Sequence, residues 1–136
     1  MERVYTTPLL DKLGIRPGAR VALAGIDDAD FRAMLAERTN EVTDLAAGEL
    51  PPADTDVVLF AADSAAELAR LADLQRTIRP AGAIWVVSRK GKARTIRDVD
   101  VIDAAKSVGL VDNKGASFSA THTALRLVIP LARRPR

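Results

Sequence analysis

Two acidic residues, Asp27 and Asp28, follow Gly25 at the end of the apolar run Val21-Ala-Leu-Ala24, and Asp30 stands two positions on. An apolar strand, a glycine turn and a helix start make the corner at which open α/β sheets bind ligands. The free N–H groups and dipole of a helix start favour anions. Carboxylates placed there satisfy those groups from within the chain and repel phosphate. The turn also has one glycine, where a dinucleotide loop uses several for close backbone approach. A pyrophosphate-binding corner is therefore disfavoured, and helix capping by Asp27 or Asp28, worth about 1 kcal/mol, is the simpler reading. Nothing in the pattern favours Mg²⁺ on this pair.

His122 is the single histidine, and it lies between Thr121 and Thr123, whose hydroxyls can fix a tautomer. It is the candidate general base, provided a partner comes within hydrogen-bond reach. Asp63 and Ser64 supply the residue types of a nucleophilic triad, but no Gly-x-Ser-x-Gly elbow accompanies them. A turn histidine is the plainer reading. Cysteine is absent, which excludes thiolate chemistry and disulfides, and one histidine without cysteine argues against zinc; no metal is expected. Arg89, Lys90, Lys92, Arg94 and Arg97 place five positive charges in nine residues. Phosphate, nucleic-acid or acidic-partner contact is the functional reading of such a run. The chain has three Phe, one Tyr and one Trp, none of them in this stretch, so base stacking is unsupported. A solvated, mobile loop is the alternative, and the basic tail over 132–136 reads the same way.

These residues need a frame. A chain of 136 residues with 48% hydrophobic content is enough for one domain with a sheet-based core. No apolar run approaches the roughly 18 residues of a membrane helix. Met1-Glu-Arg-Val-Tyr5 lacks a signal pattern, so the expectation is a cytoplasmic protein without a membrane partner. Residues 1–68 carry 6 Lys and Arg against 13 Asp and Glu, a balance of −7; residues 69–136 carry 14 against 5, a balance of +9. Such a dipolar chain permits self-association into a homo-oligomer.

Thr7 to Gly14 predicts a short helix, with Thr7 as cap, Pro8 at the first turn and Gly14 at its end. Val21–Ala24 predicts a strand, Ala29 to Arg38 a helix through Phe31, Met34 and Leu35, and Glu41 to Leu45 a short strand. Thr55 to Ala61 contains four consecutive large apolar residues, the mark of a strand buried on both faces. Ser64-Ala-Ala-Glu67 fits a capping box. It opens a helix through Leu68, Leu71, Leu74, Gln75 and Ile78, stopped by Pro80. Ala83 to Ser88 is the next buried strand, and Asp98 caps a helix ending at Gly109. Strands at Leu110 to Ser119 and Ala124 to Leu131 are too close in sequence for a crossover, so they pair antiparallel. The alternation gives an α/β, doubly wound, mostly parallel sheet of about six strands with a C-terminal hairpin.

Val21-Ala-Leu-Ala-Gly25, Asp56-Val-Val-Leu-Phe60, Ile78-Arg-Pro-Ala-Gly-Ala-Ile-Trp-Val86 and the closing hairpin resemble the strands of class I S-adenosylmethionine-dependent methyltransferases. The chain is also similar to a small bacterial family, a domain of unknown function. That likeness rests on Leu13-Gly-Ile-Arg-Pro-Gly18, the acidic turn after the first strand, Ile84-Trp-Val86 and Leu127-Val-Ile-Pro130. The methyltransferase resemblance implies a Rossmann-like sheet in the order 2-1-3-4-6-5, lacking one strand and one helix between Leu45 and Asp56. It implies S-adenosylmethionine as cofactor, near Gly25, Asp27, Asp28, Asp44 and Asp63, with Asp44 in the place of the acid that holds the ribose hydroxyls. The chain departs from the pattern. Leu23 stands where the loop acid belongs, acid-x-Gly-x-Gly is unmatched, and Ala62-Asp-Ser-Ala65 lacks the prolines and aromatic of the amino-methylating branches. These departures set the expectation of a non-catalytic binding or protein-interaction module. A minimal methyltransferase and an electrostatic binder acting through residues 89–97 are the alternatives. Pro130 would cost a ladder bond unless it lies near the strand end.

Overall fold

The computed structural model describes residues 8–134. Six strands form one sheet: β1 (Val21–Ala24), β2 (Val42–Asp44), β3 (Thr55–Ala61), β4 (Ile78–Arg89), β5 (Val111–Ser117) and β6 (His122–Val128). Their spatial order is β2-β1-β3-β4-β6-β5. β2, β1, β3 and β4 run parallel, and β6 is antiparallel to both β4 and β5. This is the order that the methyltransferase resemblance implies, and residues 45–54 join β2 to β3 without a strand or helix.

Side chains alternate between two cores, as the period of 2 along a strand requires. Val21, Leu23, Val57, Leu59, Trp85 and Val87 face α1 (Leu9–Lys12) and α2 (Ala29–Arg38). Ala22, Ala24, Val58, Phe60, Ile84 and Val86 face α3 (Ala65–Leu68), α4 (Leu71–Leu74) and α5 (Asp98–Ser107). Both faces of the central strands are covered, which is why their sequences read as unbroken apolar runs. Trp85, fully buried, joins the sheet to the first helix by donating its indole N–H to the Leu13 carbonyl at 2.9 Å.

Several boundaries differ from the sequence expectation. The first helix covers only Leu9–Lys12; Thr7, the expected cap, lies outside the described residues. The helix expected to reach Ile78 is two single turns ending at Leu74, and Ile78 opens β4. Pro80 falls where β4 loops away from its neighbour, since Thr55 pairs with Ile78 but Val57 with Ala83. A proline there removes no ladder donor. Gly82 closes the bulge because a Cβ would stand 2.8 Å from the Asp56 carbonyl. Asp98 is the first residue of α5 rather than its cap, and the Arg97 N–H is held by Asp100 at 2.8 Å. β5 stops at Ser117 rather than Ser119, whereas β6 starts before the expected Ala124 and ends at Val128 rather than Leu131. His122 is the first residue of β6, paired with Arg89, and Pro130 lies beyond the last ladder residue.

Candidate functional site

The carboxyl ends of β1, β3 and β4 and the β5–β6 turn enclose a cleft of about 500 Å³. Of the residues singled out in the sequence, Gly25, Asp27, Asp28, Asp63, Arg89 and His122 line it. Gly25 turns the chain at φ 76°, where an added Cβ would stand 3.2 Å from that of Ala61. Asp28 caps α2 by accepting the Phe31 N–H at 3.0 Å, so the helix start is closed from within.

Asp63 is a fastener. One carboxylate oxygen accepts the Arg89 N–H at 2.9 Å, the other lies 3.8 Å from the Arg89 guanidinium, and its carbonyl accepts the Thr95 hydroxyl at 2.6 Å. Its N–H donates to Glu67, whose own N–H is capped by Ser64. Ser64 is thereby a helix cap, as its spacing indicates. His122 has Nδ1 2.8 Å from the Thr121 hydroxyl, the neighbour expected to fix its tautomer.

Asp44 is not in the cleft. It ends β2, where Arg32 of α2 reaches it at 2.6 Å while the same guanidinium donates to the Ile26 carbonyl at 3.1 Å. The hydrogen bond from Arg32 holds the Asp44 carboxyl below its ordinary range and raises Arg32 in turn. Arg32 carries no motif; its only signal in the sequence is a cation one turn into the helix that precedes the acidic end of β2.

The basic loop is also divided. Arg89 is bound by Asp63, Lys90 donates to the Ser117 hydroxyl at 2.8 Å, and Arg97 lies 3.8 Å from Asp100. Gly91–Ala93 forms a 3₁₀ turn and Ile96 is buried, so the segment is anchored at both ends. Lys92 and Arg94 remain exposed and, among the described residues, meet no carboxylate. Among the described residues no group of three or more His, Asp or Glu gathers to hold a metal, and no helix is long and apolar enough to cross a membrane.

A family described as protein of unknown function (DUF3052) matches residues 10–131. The chain belongs to this family. No curated protein matches it. In fold it is similar to a candidate type 11 methyltransferase from Sulfolobus solfataricus: 14% identity, TM-score 0.67, 94% of this chain and 93% of that one. A candidate methyltransferase from Thermoplasma acidophilum gives 11% identity and TM-score 0.61 over 90% of this chain and 73% of that one. Magnesium protoporphyrin IX methyltransferase from Synechocystis PCC 6803, with S-adenosylmethionine bound, gives 15% and 0.58 over 90% and 74%. A longer matched protein is spanned over only 53% of its length. At these identities the likeness shows the fold alone, and the family member described here is an α/β domain of methyltransferase-like topology.

Proposed function

We propose that the chain is a methyltransferase-like binding module that does not transfer methyl groups. The observation that carries this reading is the Arg32–Asp44 pair. The carboxylate that the fold would offer to a ribose is already held at 2.6 Å by a guanidinium tied to the Ile26 carbonyl. Two further features support it. Leu23, in the place of the loop acid, is 2% exposed and packed in the α1–α2 core, so no carboxylate fits there without disrupting that core. Asp28 closes the helix start that would meet the cofactor. The residues present therefore do not fit an adenosyl cofactor, although the topology around them is that of proteins that bind one.

Titration calorimetry with S-adenosylmethionine and S-adenosylhomocysteine tests the proposal. The expected result is no saturable heat with either. Micromolar binding that Asp44→Ala abolishes would replace it with a minimal methyltransferase.

For the partner, the anchored loop favours an acidic surface met through Lys92 and Arg94. A tethered pair of exposed cations loses little conformational freedom on contact. Retention on heparin that falls steeply with salt, and falls further in a Lys92→Glu/Arg94→Glu variant, is the expected outcome. Flow-through at low salt would remove this surface from consideration.

A further inference from the structure

The opposite edge of the sheet holds a second opening of about 520 Å³, where the α1–β1 loop meets the starts of β3 and β4 and the side of β6. Its charged lining is Arg16, Arg79, Arg126 and Asp56. Asp56 is fully engaged: one oxygen accepts from Arg79 at 3.0 Å and the other accepts the Arg20 N–H at 2.9 Å. Three arginines against one carboxylate leave the lining with a balance of +2.

Arg126 is the distinctive member. It sits mid-strand in β6, directly across the ladder from Trp85, and is half-buried. Among the described residues its hydrogen-bond partner is a neutral one, Asn113 Oδ1 at 3.3 Å, and no carboxylate meets it or Arg16. Its other ladder neighbour, Lys114, is a second cation, whose ammonium is turned to the Lys12 carbonyl. Burial, and then the charge of Arg134, both lower the proton affinity of Arg126. A guanidinium drawn partly out of water among other cations is unfavourable unless an anion joins it.

An oxyanion relieves each of these conditions. Guanidinium forks match phosphate oxygens in a bidentate way that an ammonium does not. A phosphate monoester carries about −1.5 to −2 near neutrality, which offsets the +2 lining, whereas a monocarboxylate leaves a full charge uncompensated. The volume lies within the roughly 300–1,000 Å³ of small-molecule sites and leaves room for a body beyond the phosphate. We propose that this pocket binds the phosphate group of a small phosphorylated molecule, with Arg126 inside and Arg16 and Arg79 at the mouth. The site lies across the sheet from the methyltransferase-like cleft and is independent of whether that cleft binds anything.

The chain's single tryptophan is the reporter, because Trp85 adjoins Arg126 and donates to Leu13, itself part of the pocket wall. Trp emission would be followed while glycerol phosphate, inorganic phosphate or acetate is added at constant ionic strength. The expected result is a saturable change with glycerol phosphate, weaker with inorganic phosphate and absent with acetate. Arg126→Gln should weaken glycerol phosphate binding about tenfold or more. Arg16→Gln, on an exposed loop where folding is not at stake, should weaken it severalfold, and Lys106→Gln, at an exposed position of α5 outside the pocket lining, should leave it unchanged. Phosphorus NMR line broadening reads the same binding without the indole. No saturable response by either method, an equal response to acetate, or undiminished binding in both arginine variants would overturn the site. Inorganic phosphate binding as tightly as the ester would overturn the assignment of a larger ligand.

Discussion

The two edges of the sheet treat their charged side chains in opposite ways. At the carboxyl edge three of the acids singled out by type have an internal partner: Asp28 caps a helix, Asp44 is clamped by Arg32, and Asp63 fastens β3 to Arg89 and Thr95. At the amino edge one carboxylate, Asp56, serves Arg79 and the Arg20 N–H, and Arg16 and Arg126 meet no acid among the described residues. Fold analogy directs attention to the first edge. Charge compensation directs it to the second. A polar group already satisfied gains little from a ligand, while a half-buried cation beside other cations gains from any anion of suitable shape. Topology and unmet electrostatic demand thus point to different places in one molecule.

The largest expected effect that separates the edges comes from their glycines. Gly82→Ala should cost about 2–3 kcal/mol, since the new methyl group meets the Asp56, Arg79 and Thr55 carbonyls at 2.8, 3.1 and 3.2 Å, and backbone cannot step aside as a flexible side chain does. It should also abolish the phosphate response, because the bulge it closes presents Arg79 to the pocket. Gly25→Ala should cost less, about 1–2 kcal/mol. Its cost is that of a left-handed backbone at φ 76° with one tight contact to Ala61, and the phosphate response should survive. Urea unfolding of both variants, each followed by a glycerol phosphate titration, checks the pair. A Gly25→Ala chain that loses phosphate binding would couple the two edges and break the comparison.

What was legible in the sequence follows from which signals are local. The apolar run Val57–Phe60 announces a doubly covered strand, and the short linker Ala120-Thr-His-Thr123 announces an antiparallel hairpin; both are present. The spacing of Ser64 and Glu67 announced a cap, and the cap is made. Ile78 was misassigned to a helix because its spacing from Leu71 and Leu74 fits a helix face. The burial that produced the match comes instead from β4 packing on the same core. The candidate site was half legible. Gly25, Asp27, Asp28, Asp63 and His122 gather as strand ends in a known topology must, but Arg32 and Arg126 carry no motif. Their roles depend on partners 12 residues away in one case and on a cross-strand register in the other. Composition along the chain records neither.

The smallest effect tests the clamp at the carboxyl edge. Arg32 holds Asp44 ionised more firmly in the folded chain than in the unfolded one, where the carboxyl titrates near its ordinary value of about 3.9. A lowered folded-state value means that the pair's contribution is fully present above the unfolded value. It is lost as pH falls through the folded value, so the window lies below about pH 4. Arg32 and Asp44 side chains are 39% and 61% exposed, so solvent and salt screen the pair and its contribution is at most about 1 kcal/mol. Between pH 5 and pH 2.5 the urea midpoint of the wild-type chain should therefore fall slightly more than that of Arg32→Gln, and the excess should vanish in about 1 M salt. An identical acid slope in both would show that the clamp stabilises nothing. The proposed exclusion of an adenosyl group would then rest on the buried Leu23 and on the Asp28 cap, and the contrast with the amino edge would rest on how those positions are filled rather than on the ion pair.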